Sequence, residues 1–445
     1  MRVEALAFVI GVVLMVVGLA VSIALHELGH LWPAKKFGVR VGQYMIGFGP
    51  TLWSRRIGET EYGVKAIPLG GYISMAGMYP PSPKERARAA AASGSAGAAR
   101  SGRAGGGFFA TMVQDARAAN DETLHGDDDE RVFYRLPVYK RVIVMLGGPI
   151  MNFLFAIVLF SILVTGIGMQ TATTTVSSLS ECVPATTTSE CTESDPEAPA
   201  AAAGIEPGDT ILSVDGQPVD DFAEATAIIQ GSSGSPITLV VERDGAEQTL
   251  TVRPATTQAS VTEADGTTTT RDVGFVGISP TVEYVRQPIW GGTQAAVEQV
   301  GAVAGILWQL PVKVWETGVD LVTGQERDPN GPLSVVGAGR LSGEVAAADS
   351  PVLNRVAGFL GLLASLNIAL FVFNLIPLLP LDGGHVAVAL WEGIKRVWAK
   401  LFRRPPPKPV DATKLVPLTF VVVVALIGMG AVLILADIFN PVSLF

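Results

Sequence analysis

The sequence predicts a polytopic α-helical membrane protein with four transmembrane helices, a small β-region and one inserted α+β domain. Three observations predict it. Only 16% of the 445 residues are charged and 49% are apolar, against roughly 25% charge in an average soluble domain. Four stretches carry no charge at all: Ala5–Leu25, Val142–Met169, Val356–Leu381 and Leu415–Ala436. Each offers about the 20 helical residues that cross a hydrocarbon core of roughly 30 Å. Between them lie polar segments in which apolar residues alternate and glycines punctuate, a strand-and-turn pattern. The net charge of −9 argues against a nucleic-acid partner, since basic residues gather only beside apolar segments. Two cysteines exclude a disulfide framework or a cysteine-rich zinc fold.

The first apolar run is longer than a signal-peptide core, follows only Arg2 among basic residues and lacks a small-residue cleavage site, so it reads as a retained helix. Lys35, Lys36, Arg40, Arg131, Arg135, Lys140 and Arg141 flank the first polar segment, and the short loop 392–414 is also basic. The positive-inside rule then places 32–140 and 392–414 in the cytoplasm, with 170–355 and both termini outside. Residues 41–77 read as short strands with tight turns. Residues 81–130, rich in Ala, Gly, Ser and Arg and ending in an acidic run, have little to bury and read as disordered.

Outside, the Thr/Ser/Pro/Ala-rich stretch 171–200 reads as a linker. It holds Cys182 and Cys191, either a small closed loop or two thiols. AAAGIEPGDTILSVDGQPV (201–219) gives a strand Thr210–Val214 and a turn at Asp215–Gly216. PITLVVERDGAEQTLTVRP (236–254) gives a hairpin about Asp244–Gly245. This order, with helical spacing at Phe222–Gln230 between, resembles a bacterial PDZ domain. That resemblance implies capture of peptide ends by strand addition. Residues 287–350 contain amphipathic stretches that lie on the membrane or pack against its helices.

The chemistry starts where the first helix runs into HELGH, residues 26–30. Four residues apart on a helix, His26 and His30 present both imidazoles on one face, as one Zn²⁺ requires. Glu27 beside them can take a proton from an attacking water and return it to a leaving amine. Ionisable groups at the end of an apolar helix are costly and mark function. A catalytic zinc needs a third protein ligand. NLIPLLPLDGGH (374–385) offers one in Asp382, the sole carboxylate between Arg355 and Glu392. Pro377 and Pro380 interrupt that helix, and Gly383 and Gly384 loosen it. His385 competes for the third place, with Asp382 preferred. Asn152 and Asn367 read as hydrogen-bonding glue between helices. Asn374, at the break, either plays that part or orients a substrate carbonyl.

Five motifs, HELGH (26–30), GFGP (47–50), PLGGY (68–72), GGPIMN (147–152) and NLIPLLPLDGG (374–384), occur in the order found in bacterial site-2 proteases, which the chain resembles. The family comprises intramembrane zinc metalloproteases of the cytoplasmic membrane. The resemblance implies that His26, His30 and Asp382 bind Zn²⁺ and that Glu27 is the general base. It implies a membrane-associated sheet at 41–77 with a re-entrant turn at GFGP. It also implies a substrate-holding edge at Gly70, Gly71 and Tyr72. Its substrates are single-span proteins in the lipid bilayer, such as anti-sigma factors and remnant signal peptides, cut in regulated intramembrane proteolysis. Some relatives carry two PDZ domains in tandem; one is visible here, and the insert 81–130 has no recognised counterpart.

These readings divide the chain in order. The first half holds a transmembrane helix with HExxH (1–31), the cytoplasmic β-region (32–80), the disordered insert (81–135) and a second transmembrane helix (136–169). An extracytoplasmic linker (170–200), the PDZ-like domain (201–285) and an amphipathic region (286–355) follow. The third transmembrane helix with LDGG (356–395), a basic cytoplasmic loop (396–414) and the fourth transmembrane helix (415–437) complete it. Two rivals compete with a protease. A catalytically inactive PDZ-bearing adaptor would have lost at least one of His26, Glu27, His30 and Asp382. A transporter would show an internal repeat of the broken helix, and none is present.

Overall fold

The computed structural model describes residues 2–78, 131–184, 195–262, 268–328, 331–405, 410 and 415–442. Of the insert expected to be disordered (81–135), residues 81–130 lie outside them, whereas 131–135 are ordered: Phe133–Arg135 form a 3-10 turn with Phe133 buried against the sheet and helices. The chain forms two compact units, Met1–Gly166 with Pro288–Phe445, and Ile167–Gln287.

Among the described residues of the first unit, four helices are long and apolar enough to cross a membrane: α1 (Arg2–Lys36), α2 (Val138–Ser161, continued by a wider π turn to Ile167), α7 (Val352–Asn374) and α9 (Val416–Phe439). The apolar run ending at Leu381 is shorter as a helix than as a sequence. Helix α7 stops at Asn374, and α8 (Asp382–Leu401) starts only after a turn through both prolines, which have no N–H to continue the ladder. Helix α8 also runs into the segment read as a basic loop. Helices α1, α2 and α7 share a core of Met15, Leu19, Ala156, Leu159, Leu363 and Ile368.

Strands β1 (Val41–Ile57) and β2 (Thr60–Met75) pair antiparallel and fold back on themselves. Tyr44 faces both Ile73 and Tyr62, so the two strands make a sheet four segments wide, in the order 71–75, 41–46, 60–65, 51–57. The expected short strands are thus present as arms of two long, bulged ones. Leu31 and Ala34 of α1, Val41, Met75 and Val144 of α2 seal this sheet to the helices.

Residues 287–350 hold α4 (Gly291–Leu307), α5 (Leu310–Thr323) and α6 (Val335–Ala347). Helix α6 packs on α1, and small residues permit it: a Cβ on Gly11 would lie 2.4 Å from the Ser342 carbonyl oxygen. Ser342 Oγ donates to Gly11 O at 2.9 Å.

The second unit is a sheet in the order β9–β3–β4–β5–β6, with α3 (Phe222–Gly231) packed on it. Its strands are β3 (Met169–Leu179), β4 (Thr210–Val214), β5 (Ile237–Arg243), β6 (Ala246–Val252) and β9 (Ile278–Val285), and the two-residue strand Gln217–Pro218 pairs with β4 off this path. A separate hairpin joins β7 (Ala255–Thr262) to β8 (Thr268–Phe275). The start of the stretch read as linker is therefore β3, a central strand. Its Thr-rich composition suits a pleated strand with Val176 alone turned fully into the core. Cys182 is disulfide-bonded. Asp244 and Gly245 both take positive φ, 52° and 77°, the two-residue turn that joins β5 to β6. Asp221 caps α3 by accepting from Glu224 N at 2.9 Å.

Candidate metal centre

The site begins with two helices that touch backbone to backbone. A Cβ on Gly29 would lie 2.2 Å from Gly147 O, and one on Gly147 would lie 2.0 Å from Gly29 O. No side chain fits between α1 and α2 at this level. One residue on, a Cβ at Gly148 would stand 2.2 Å from His30 Nε2 and 2.8 Å from His26 Nε2. Glycine there leaves the space in which the imidazoles meet. Val144, Gly148 and Asn152, spaced by four, form one face of α2. His30 Nδ1 lies 2.8 Å from Val144 O, and His26 Nδ1 lies 3.3 Å from Asn152 Nδ2.

The third member arrives from the break. Gly383 and Gly384 do more than loosen the helix, the role the sequence suggested. A Cβ on Gly383 would meet Leu375 O and Ile376 O at 2.4 Å, and one on Gly384 would meet Leu379 N at 2.5 Å. The glycines let the first turn of α8 lie directly on the 375–381 turn. Asp382, the first residue of α8, is thereby fixed beside the histidines.

His26 Nε2 and His30 Nε2 are 3.2 Å apart, and Asp382 Oδ2 lies 3.2 Å from the first and 3.4 Å from the second. A tetrahedral Zn²⁺ with bonds of about 2.0–2.1 Å separates its ligand atoms by about 3.3 Å. The chemistry agrees with the geometry. A carbonyl oxygen only accepts, so His30 Nδ1 beside Val144 O carries the proton, and neutral His30 turns the lone pair of Nε2 inward. Asp382 Oδ2 is buried and receives no hydrogen bond. Three ligand atoms converging this closely form a group that can hold a metal cation. Among the described residues these three form the group of His, Cys, Asp or Glu able to hold a metal ion, and His385 is not in it.

Glu27, 7% exposed, sits on the flank of α1 that meets β2, where a Cβ on Gly71 would come 3.0 Å from its Cγ. Segment 71–75 is an edge of the sheet, paired on one side with 41–46. Gly70 has φ +117°, and its Cβ position is filled by the Phe48 ring. That ring stacks on Tyr72, whose hydroxyl donates to Gln43 Oε1 at 3.2 Å. Gly71 thus lies next to Glu27, while Gly70 and Tyr72 are organised around Phe48. Asn374 ends α7 and donates to Leu370 O of its own helix at 2.9 Å. Asn367 donates to Ser22 Oγ and Leu363 O, tying α7 to α1 as its reading as glue requires.

The sequence reading passed over Gly148, the Val144 carbonyl and a buried ion pair. Arg141 of α2 meets Glu392 of α8 at 2.9 Å, and Glu392, 1% exposed, also binds Arg396. The pair joins the helix behind both histidines to the helix that starts with Asp382. An acid, Glu392, set among Lys395, Arg396 and Lys400 in the second half of α8 was the available signal.

The model for Peptidase family M50 matches residues 14–403. Zinc metalloprotease Rip1 of Mycobacterium tuberculosis is 35% identical over 98% of this chain and 99% of its own length. Rip1 of Mycolicibacterium smegmatis is also 35% identical, with the same coverage. Metalloprotease MmpA of Caulobacter vibrioides is 27% identical over 88% of each chain. With a family match across most of its length and relatives that span it from end to end, the chain belongs to Peptidase family M50, the site-2 proteases, and is a zinc metalloprotease.

Proposed function

We propose that this protease hydrolyses a peptide bond within transmembrane segments of single-span membrane proteins, in regulated intramembrane proteolysis, at the bacterial cytoplasmic membrane. The observation that carries the reading is the triangle of Nε2, Nε2 and Oδ2 atoms at zinc-ligand separations, placed at the end of a membrane-spanning helix with Glu27 beside it. His26, His30 and Asp382 hold the Zn²⁺. When bound, it supplies Lewis acidity to the scissile carbonyl and to the attacking water.

Glu27 takes the proton of that water on its carboxylate and returns it to the leaving nitrogen. The 71–75 edge, ending beside Glu27 at Gly71, pairs with an unwound stretch of substrate and replaces the hydrogen bonds its helix has lost. Asn374, at the mouth of the break, orients the substrate carbonyl. The inserted unit, with β9 as an edge strand and α3 on the sheet, acts as a PDZ-like module that takes peptide ends. The basic flanks put the site towards the cytoplasm and both termini outside.

The test is a cleavage assay on purified protein in detergent. The substrate is a single span containing a helix-weakening residue, and mass spectrometry locates the cut. We expect a cut within the span, abolished by Glu27→Ala and by zinc chelation. Turnover retained in Glu27→Ala would overturn the assignment.

A further inference from the structure

We propose that Asn152 is a positioning residue for the metal group. Its side-chain oxygen accepts the Nδ1 proton of His26 and so selects the tautomer whose Nε2 faces His30 and Asp382. The inference rests on the zinc reading above and extends it to a residue outside the ligand set.

Two observations point the same way. Asn152 is 1% exposed, and its Oδ1 has no partner among the described residues, an expensive state for a buried amide oxygen. Its Nδ2, meanwhile, stands 3.3 Å from His26 Nδ1. For neutral His26 to offer the lone pair of Nε2, Nδ1 must carry the proton. An NH₂ facing an N–H sets two donors against each other. A half-turn of the amide resolves both faults at once: Oδ1 gains its donor, and Nδ1–H gains its acceptor.

The arrangement then matches the one at the other histidine. Helix α2 presents an acceptor to each outer imidazole nitrogen, the Val144 carbonyl to His30 and the Asn152 amide oxygen to His26. Gly148, midway on the same face, leaves room for the inner nitrogens. Asn367 is the internal contrast: it is equally buried and its Oδ1 is likewise unpartnered, but its Nδ2 donates to Ser22 Oγ and Leu363 O and faces no histidine.

The test measures zinc and not turnover. Full-length wild type, Asn152→Leu, Asn152→Asp and Asn367→Leu are purified in detergent, checked for helical content, and titrated with a zinc chelator of known affinity. Loss of a partner to a ligating histidine costs roughly 10–100-fold in metal affinity. We expect that loss in Asn152→Leu and near wild-type affinity in Asn152→Asp, whose carboxylate accepts the same proton. Asn367→Leu should keep wild-type affinity. Asn152→Leu within about twofold of wild type, or Asn152→Asp as weak as Asn152→Leu, would overturn the proposal, as would an equal loss in Asn367→Leu. Should Asn152→Leu fail to fold, the nitrogen chemical shifts of His26 in metal-free wild type decide. A proton on Nδ1 is expected, and one on Nε2 overturns it. Wild type that binds no zinc would instead overturn the metal reading itself.

Discussion

The two units of this chain are held together by opposite means. The inserted unit buries branched side chains from alternating strand positions, with Ile211, Ile237, Leu239, Val241 and Val252 almost wholly covered. Water drives that burial, and each side chain contributes in proportion to its area. Around the metal group the close contacts belong to residues with no side chain: Gly29 on Gly147, Gly148 under the imidazoles, Gly383 and Gly384 on the turn before them. Between spans that face lipid, apolar area gains little from meeting more apolar area, so close approach and buried polar pairs take over. Among its described residues the membrane unit accordingly holds the deeply buried ion pairs Arg141–Glu392 and Arg327–Asp437. The second also caps α6, since Asp437 accepts from Ser334 N and Gly337 N.

Breaking each unit by its own means should therefore give different failures. The largest effect is expected from Gly148→Val, which drives carbon into the space of His30 Nε2. Zinc content of the purified protein should fall to background while the inserted unit stays folded. Next, Glu392→Ala leaves Arg141 buried without its partner, at a cost of roughly 3–5 kcal/mol. Denaturant unfolding should register that loss, and Arg141→Met with Glu392→Leu should recover most of it. Leu239→Ala should cost about 2–5 kcal/mol, seen as faster hydrogen exchange in β4, β5 and β6 with zinc content unchanged.

The smallest effect sharpens the contrast through pH. Asp209, buried under a bidentate Arg243, has its carboxyl held below the ordinary range chiefly by those hydrogen bonds. A lowered folded-state pKa adds stability above the ordinary value of about 4, and that stability is lost as pH falls through the lowered one. Protection of β4 and β5 amides, corrected for intrinsic exchange, should decline below about pH 4 in wild type. Asp209→Asn should already show the lower protection at neutral pH.

Much of this was legible in the chain. Charge-free runs located the spanning helices, and the paired positive-φ turn at Asp244–Gly245 was marked by its residue types. The convergence of His26, His30 and Asp382 was legible because helical spacing and the scarcity of carboxylates narrow the choice. What escaped was set by tertiary contact. Nothing local says that Thr171–Thr175 enter a sheet, because their partners, Thr210 and the 278–285 strand, come later in the chain. The shortening of the third span to Asn374 follows from where the turn folds back, and the glycines that permit it read locally as flexibility. Asn152 looked like any polar residue between helices because its partner lies 126 positions away.

Met169 and Val285, at the two ends of the inserted unit, are antiparallel neighbours, so the chain leaves the membrane unit and returns to it at points about one strand spacing, some 5 Å, apart. Such a module can be removed, exchanged or copied in tandem by joining cut ends that already meet, leaving the flanking helices unstrained. Its evolutionary history is therefore free to run separately from that of the helices that carry His26, His30 and Asp382, and such inserted units can vary in number while those helices keep their geometry.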